Sequence, residues 1–144
     1  MNKKNFIILV SLLILHLFLL LSLQFTAWPE MLLWPYFLLK GWLPYRDFAM
    51  AHSPLLPFDL AAFFKIFGLS LFNLKLYTWF LILITDLLVF FVAQKISKNN
   101  LVAFLSLGFY VLWQPYFEGN GLWFDLALAP IFLLIFYFLY QKEF

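Results

Sequence analysis

The sequence predicts an all-α membrane protein with about four transmembrane helices and an outer loop that contains two interfacial helices. Composition is the first observation, since 66% of the 144 residues are hydrophobic and only 11% are charged. A chain with so little charged surface is solvated mainly by lipid tails. The second observation is four apolar segments close to span length. The third is that most of the lysines beside them fall on one side, with Lys75 as the exception at the outer end of the second segment.

The four predicted spans cover residues 6–25, 74–93, 101–116 and 122–140. A helix needs about 20 apolar residues to cross the hydrocarbon core. The first run is longer than the 7 to 15 residues, roughly, of a signal-peptide core, and no small-x-small cleavage site follows it. We therefore interpret it as a span, within a single transmembrane domain that covers residues 1–144.

Lysines near the ends of the spans predict the orientation of the chain. These residues are Lys3, Lys4, Lys95, Lys98 and Lys142. Short cytoplasmic flanks are enriched in Lys and Arg, so both termini and the link between the second and third spans are predicted to be cytoplasmic. The 26–73 loop and the turn at 114–121 are then extracytoplasmic, and the functional residues are expected there.

The 26–73 loop contains signals for two helices too short to span. Pro29 suits the first turn of one helix, which Gly41 stops near residue 40. Ser53 is predicted to cap the second helix, and Gly68 to end it. Each is predicted to be about 12 to 15 residues long and strongly apolar, with charges at or near its ends and faces, as interfacial helices are.

Several classes of function lack sequence support. No basic run exceeds Lys3-Lys4, so nucleic-acid binding is not predicted. The absence of cysteine excludes disulfides and thiolate metal sites. No glycine-rich phosphate loop, GxSxG elbow or HExxH motif occurs, so nucleotide-driven and hydrolase functions have no motif.

Polar residues are densest at Tyr45-Arg46-Asp47. One interpretation is a local ion pair that pins a loop, worth about 1 kcal/mol or less when exposed. In the other, Arg46 binds a phosphate, and Asp47 is a base, an acid or a metal ligand. His52 is suited to phosphate binding or proton transfer near neutral pH, although a histidine at a helix start is more often structural.

Two further acids have alternative interpretations. Glu30 follows the first span, where it either favours a helix N-terminus or serves as an active-site carboxylate. Asp86 lies near the middle of the second span, where an ionised acid costs about 2.5 to 3.5 kcal/mol. It is predicted to make a structural helix–helix hydrogen bond, the alternative being a proton or ion path.

Glu118 and Asp125 flank the second outer turn and are candidates to approach Glu30 and Asp47. An acid-rich outer face suits a divalent metal ion with oxygen ligands. No EF-hand or two-histidine spacing specifies such an ion, so no cofactor is assigned.

The segments GWLPYRDF, at 41–48, and HSPLL, at 52–56, follow a span, an acid and a short aromatic helix. In this order the chain resembles the amino-terminal part of C-type membrane glycosyltransferases (GT-C), the superfamily with protein O-mannosyltransferases and aminoarabinose transferases of lipid A. The resemblance covers most of the chain, but its specific motif lies within residues 30–57. The later segment WQPYFEGNGLWFDLAL, at 113–128, is similar to a following outer turn in such proteins.

The resemblance implies transfer of a sugar from a polyprenyl-phosphate carrier to an acceptor at the outer face of a bacterial plasma membrane. Such a reaction needs a base for the acceptor hydroxyl and positive charge for the departing lipid phosphate. Glu30 or Asp47 is the expected catalytic base. The expected phosphate and substrate contacts are Lys40, Tyr45, Arg46 and His52.

The chain departs from the family pattern in two ways. Family members often have an Asp-Glu pair in the first outer loop, whereas Ala27, Trp28 and Pro29 give Glu30 no companion acid. Members also have many more spans, so the chain is expected to be the amino-terminal fragment of a longer enzyme. The alternatives are a small noncatalytic membrane protein that packs against a partner, and a lipid-carrier or ion transport component that uses Asp86.

Overall fold

The structure is a computed structural model, and it describes residues 2–117 and 119–140. The described residues form six α-helices and no strand, which confirms the all-helical prediction. The helices are α1 (Lys3–Ser22), α2 (Glu30–Leu39), α3 (Leu55–Phe67), α4 (Leu71–Ser97), α5 (Asn100–Phe117) and α6 (Phe124–Leu139).

Local polar groups set the ends of the long helices. The Asn2 side chain accepts the Asn5 N–H at 2.8 Å, so α1 begins three residues before the predicted span. The Ser70 side chain accepts the Asn73 N–H at 3.1 Å at the start of α4. At the other end of α4, Lys98 adopts a left-handed conformation with φ 52°. Hydropathy marks only the apolar middle of such helices, so the predicted spans miss these capped ends.

The two short helices occur where the sequence predicts them. Gly68 caps α3 with φ 90°, as predicted, because a residue without a Cβ adopts this conformation without strain. The predicted Ser53 cap is wrong. Pro54 is the N-cap residue of α3, and no side chain caps this end.

Helix α4 lies at the centre of the bundle and packs against α5, α6 and α1. One buried cluster joins α1, α2, α3 and α4 through Leu20, Met31, Leu60 and Leu74. A second cluster joins α1, α4 and α5 through Leu9, Phe90, Leu107 and Val111. The short helices α2 and α3 pack against each other and join the bundle through the first cluster.

Helices α1 and α4 are each long and apolar enough to cross a membrane. Helix α6 is apolar but has only 16 residues. Large apolar side chains face outward on these helices and on α5, among them Phe18, Phe80, Phe109 and Phe132. Such a surface suits lipid. These features support the predicted association with a membrane.

Candidate functional site

The two segments predicted to be extracytoplasmic meet in space. The Thr26 N–H donates to the Asn120 carbonyl at 2.7 Å, and Thr26 forms an isolated bridge with Gly121. A Cβ at Gly121 would lie 2.5 Å from the Thr26 carbonyl oxygen, so only glycine permits this approach. The crossing brings the residues before α2 beside those before α6.

An aromatic cluster covers this crossing and consists of Trp28, Trp34, His52, Trp123 and Phe124. The His52 ring stacks on Phe124 at 4.3 Å between ring centroids and meets Trp123 edge-on at 5.5 Å. Trp28 lies 5.2 Å from Trp123, and Trp34 lies 6.1 Å from Phe124. Residues far apart in the sequence thus form one aromatic surface.

Glu30 begins α2, two residues after Trp28, and is half-buried. Its Oε2 atom is buried and has no hydrogen-bond partner among the described residues. The position in the first turn of α2 agrees with the structural interpretation, because a helix N-terminus favours a negative charge, whereas the active-site interpretation stays a prediction. A buried carboxylate oxygen without a partner also costs free energy, and a bound donor group would remove that cost.

Arg46 and Asp47 form an exposed ion pair. The Arg46 Nε donates to Asp47 Oδ1 at 3.0 Å, and its Nη2 donates to Oδ2 at 2.8 Å. The Leu43 backbone N–H also donates to Asp47 Oδ2 at 2.8 Å. This is the local ion pair that one of the two interpretations predicts. Asp47 uses only some of the Arg46 N–H groups, because a guanidinium has five donors.

The contacts between Asp47 and Arg46 shift the pKa values of both side chains. The Arg46 side chain, followed by the Leu43 N–H, holds the pKa of Asp47 below its ordinary value. The hydrogen bond and the charge of Asp47 raise the pKa of Arg46. An acid with a lowered pKa is a weak proton acceptor, so these contacts suit Asp47 to positioning Arg46 better than to acting as the base.

The other predicted contacts of the 40–52 segment already have partners within the chain. Tyr45 has a positive φ of 65°, and its hydroxyl donates to the His52 carbonyl at 2.6 Å. His52 lies in the aromatic cluster, and Lys40 lies over the Tyr36 ring at 5.5 Å. Tyr45 thus fixes the loop, while Gly41, Trp42, Arg46 and Asp47 line a shallow surface pocket.

Of the two remaining predicted acids, the structure describes only Asp125. Asp125 is exposed in the first turn of α6, two residues after Trp123 of the aromatic cluster. Glu118 lies outside the described residues. Within the described ranges, no three residues of the His, Cys, Asp and Glu types gather closely enough to hold a metal ion.

Sequence analysis missed a buried polar network inside the bundle. His16 of α1 is fully buried, and its Nδ1 lies 3.0 and 2.9 Å from the two carboxylate oxygens of Asp86 on α4. Its Nε2 lies 3.1 Å from Gln114 Oε1 on α5. The predicted helix–helix hydrogen bond of Asp86 is therefore present, with a basic partner 70 residues away in the sequence.

The geometry also fixes the proton count of this network. Gln114 Nε2 donates to the Gly119 carbonyl at 3.1 Å, so Oε1 is the atom that faces His16. An acceptor opposite Nε2 requires a proton on that nitrogen, and the contact between Nδ1 and Asp86 requires a second proton. The pair then carries no net charge, whether the second proton is on His16 or on Asp86. This lowers the cost of burial.

Asn120 continues the network toward the crossing. Its amide donates to the carbonyls of Leu20 and Leu23 at 2.8 and 3.1 Å, and it accepts the Trp79 indole N–H at 2.9 Å. The end of α1, the first half of α4 and the second outer turn are thereby tied together. The polar network thus holds the turn that supports the aromatic cluster.

No protein-family model, curated protein or solved structure matches this chain. The resemblance to C-type glycosyltransferases therefore rests on the residues of the chain itself.

Proposed function

We propose that this chain is part of a membrane glycosyltransferase that transfers a sugar from a polyprenyl-phosphate carrier to an acceptor hydroxyl at the extracytoplasmic face. In this proposal α1, α4, α5 and α6 span the membrane, and α2 and α3 lie in the interface. Both termini are cytoplasmic, and the 26–73 loop is extracytoplasmic, because the flanking lysines favour this orientation.

The observation that carries the proposal is the Glu30 carboxylate. One of its oxygens is buried without a hydrogen-bond partner in the described part of the chain, at the helix start beside Trp28. An acceptor hydroxyl directed at this oxygen would satisfy it and could give up its proton there. Glu30 is therefore the proposed general base.

The aromatic cluster and Arg46 offer groups that are suited to a glycosyl donor. The negative faces of aromatic rings attract the weakly positive C–H face of a sugar, and the aromatic cluster offers several such rings. Arg46 stays charged and has N–H groups that Asp47 does not use, so it is the proposed phosphate contact. Interfacial α2 and α3 would hold a lipid-linked phosphate at headgroup depth.

The proposal is tested by sugar transfer in membranes that contain the protein. Polyprenyl-phosphate hexoses with a radiolabelled sugar are added, and the release of polyprenyl phosphate and the labelled products are measured. Glu30→Gln is expected to lower transfer at least about 100-fold, because an amide does not accept the hydroxyl proton.

Asp59→Asn is the matched control, since it makes the same acid-to-amide change in α3, where Asp59 pairs with Tyr77 and belongs to neither the aromatic cluster nor the Arg46 pocket. It is expected to leave transfer unchanged. Equal rates for Glu30→Gln and the wild-type protein would rule out Glu30 as the base.

A further inference from the structure

A second feature of the molecule is a cavity of about 540 Å³ between α3, α4 and α6. Its volume falls within the range of about 300 to 1,000 Å³ that is typical of sites for one small ligand. Among the described residues, its lining is apolar except for Ser53, Asp59 and Tyr77. Neither Asp59 nor Tyr77 belongs to the proposed sugar-transfer site.

Asp59 and Tyr77 form a polar pair in this apolar lining. The buried Tyr77 hydroxyl donates to the Oδ2 atom of Asp59, which uses the only proton of that hydroxyl. Within the described ranges, Asp59 has no second hydrogen-bond partner, and no Lys, Arg or His lies within ion-pair distance of it. Asp59 lines the cavity and is also exposed, so its negative charge and unused acceptor positions are accessible to a ligand there.

We propose that this cavity binds a membrane lipid whose head group carries a primary ammonium. The ammonium would donate to Asp59 and neutralise its charge, and one hydrocarbon chain would lie against Leu81, Ala127 and Leu128. Charge complementarity favours this occupant, because hydrogen bonds between ionised partners are roughly twice as strong as neutral ones.

The exposed apolar side chains at the outer edge of the cavity favour a lipid over a water-soluble amine as the ligand. Leu55, Phe58 and Ile131 line the cavity and are 62%, 47% and 41% exposed. These side chains join the cavity to the outward apolar surface of the helices, so a hydrocarbon chain enters without crossing polar groups. The inference requires only that the chain lies in a membrane. The cavity shares Phe124 with the aromatic cluster, but the Asp59–Tyr77 pair on which the inference rests has no part in the proposed sugar transfer.

Other head groups complement the pair less well. A quaternary ammonium has the charge but no N–H to donate, a glycerol head group has donors but no positive charge, and an isolated phosphate is repelled by Asp59. Lipids that differ only in these head groups therefore separate the contribution of the ammonium from that of the chain.

The experiment uses the protein in phosphatidylcholine nanodiscs with three photoreactive lipids. Each lipid has the same diazirine-bearing acyl chain, and the head groups are aminoethyl, choline and glycerol. Mass spectrometry measures labelling of peptides with Leu81 and Leu128, normalised to peptides with the outward residues Phe18 and Phe109. Aminoethyl labelling of the cavity peptides is expected to exceed choline labelling about tenfold.

Asp59→Asn keeps the shape and the Tyr77 hydrogen bond but removes the charge, and it is expected to reduce aminoethyl labelling to the choline level. Asp125→Asn is the matched control, because Asp125 is exposed and does not line the cavity, and it should preserve the preference. Equal labelling by the aminoethyl and choline lipids in the wild-type protein overturns the proposal, even if Asp59→Asn does not fold. A preference that survives in folded Asp59→Asn also overturns it.

Discussion

Glu30 and Asp47 are both acids of the 26–73 loop, but their surroundings give them different chemistry. Asp47 accepts three hydrogen bonds, from Arg46 and the Leu43 backbone, and its pKa is lowered. Glu30 has a buried oxygen with no partner among the described residues. The sequence places both acids near a family-like motif, but only the contacts distinguish a positioning acid from a candidate base.

The lowered pKa of Asp47 gives a prediction about pH. Its hydrogen bonds favour the charged form, so their stabilisation is present above the unfolded pKa, about 3.9, and is lost as pH falls through the lower folded value. In an NMR titration of the side-chain carboxyl, Asp47 is expected to titrate below an ordinary Asp.

Arg46→Gln should move the Asp47 midpoint upward, because it removes the largest cause of the lowered pKa. Lys40→Gln is the control, since Lys40 forms no ion pair with Asp47 among the described residues. If the titration midpoint of Asp47 is the same with and without Arg46, Arg46 is not the main cause of the lowered pKa.

The His16–Asp86 pair gives a second prediction at this scale. His16→Leu leaves the Asp86 carboxyl buried without its partner, so the free energy of unfolding is expected to fall by about 3 kcal/mol. The double variant His16→Leu/Asp86→Leu removes both groups and is expected to recover most of this loss, leaving about 1 kcal/mol for Gln114. Reversible unfolding in mixed micelles gives these values.

Asp125→Asn is the control for this series and should change the free energy of unfolding by about 0.5 kcal/mol or less, because Asp125 is exposed. A double variant that is no more stable than His16→Leu would show that the loss does not come from leaving Asp86 without its partner. The transport function suggested for Asp86 stays a prediction, and neither residue is exposed to solvent in this structure.

At the scale of the helices, the features predicted correctly from the sequence are those that depend on residues close together in the chain. The glycine after α3 ends that helix as predicted, and the short helices of the 26–73 loop occur in the predicted places. The long helices begin and end elsewhere, because caps such as Asn2 and Ser70 are single polar residues that hydropathy averages away.

Side-chain contacts between residues far apart in the sequence cannot be predicted from such local signals. His16 reads as one polar residue within an apolar run, and its partners are 70 and 98 residues away. The same limit applies to the aromatic cluster, where Trp28 and Trp123 meet only because the backbones cross at Thr26 and Gly121. Pairing within a helix is predictable from spacing, whereas pairing across the bundle requires the fold.

The crossing gives a prediction for the connecting segments. A methyl group at Gly121 would lie 2.5 Å from a backbone oxygen, and a backbone atom cannot move aside as a side chain can. Gly121→Ala is therefore expected to lower the free energy of unfolding by about 1 to 3 kcal/mol and to separate Trp28 from Trp123.

Gly108→Ala is the matched control, because a Cβ at Gly108 meets no atom within 4 Å. It should preserve stability or raise it slightly, since alanine favours helix. Unfolding and near-ultraviolet circular dichroism measure the two effects. Equal behaviour of the two variants would show that the close approach at Gly121 does not hold the segments together.

For the molecule as a whole, helix length sets how the chain fits a bilayer. At 1.5 Å per residue, the 20 residues of α1 extend about 30 Å and the 27 residues of α4 about 40 Å. The hydrocarbon core is about 30 Å thick, so α1 matches it and α4 reaches beyond it. The 16 residues of α6 extend about 24 Å, so a span there requires local thinning of the bilayer or snorkelling of its flanking residues.

The central claim is that the loop with Glu30 and Arg46 lies on the extracytoplasmic face. The chain has no cysteine, so one introduced thiol reports one position. In intact cells, an impermeant maleimide is expected to label Ala49→Cys, in the exposed loop, and to label Asn99→Cys, between α4 and α5, only after lysis. Labelling of Asn99→Cys in intact cells, with Ala49→Cys protected until lysis, would invert the topology and contradict the proposed site.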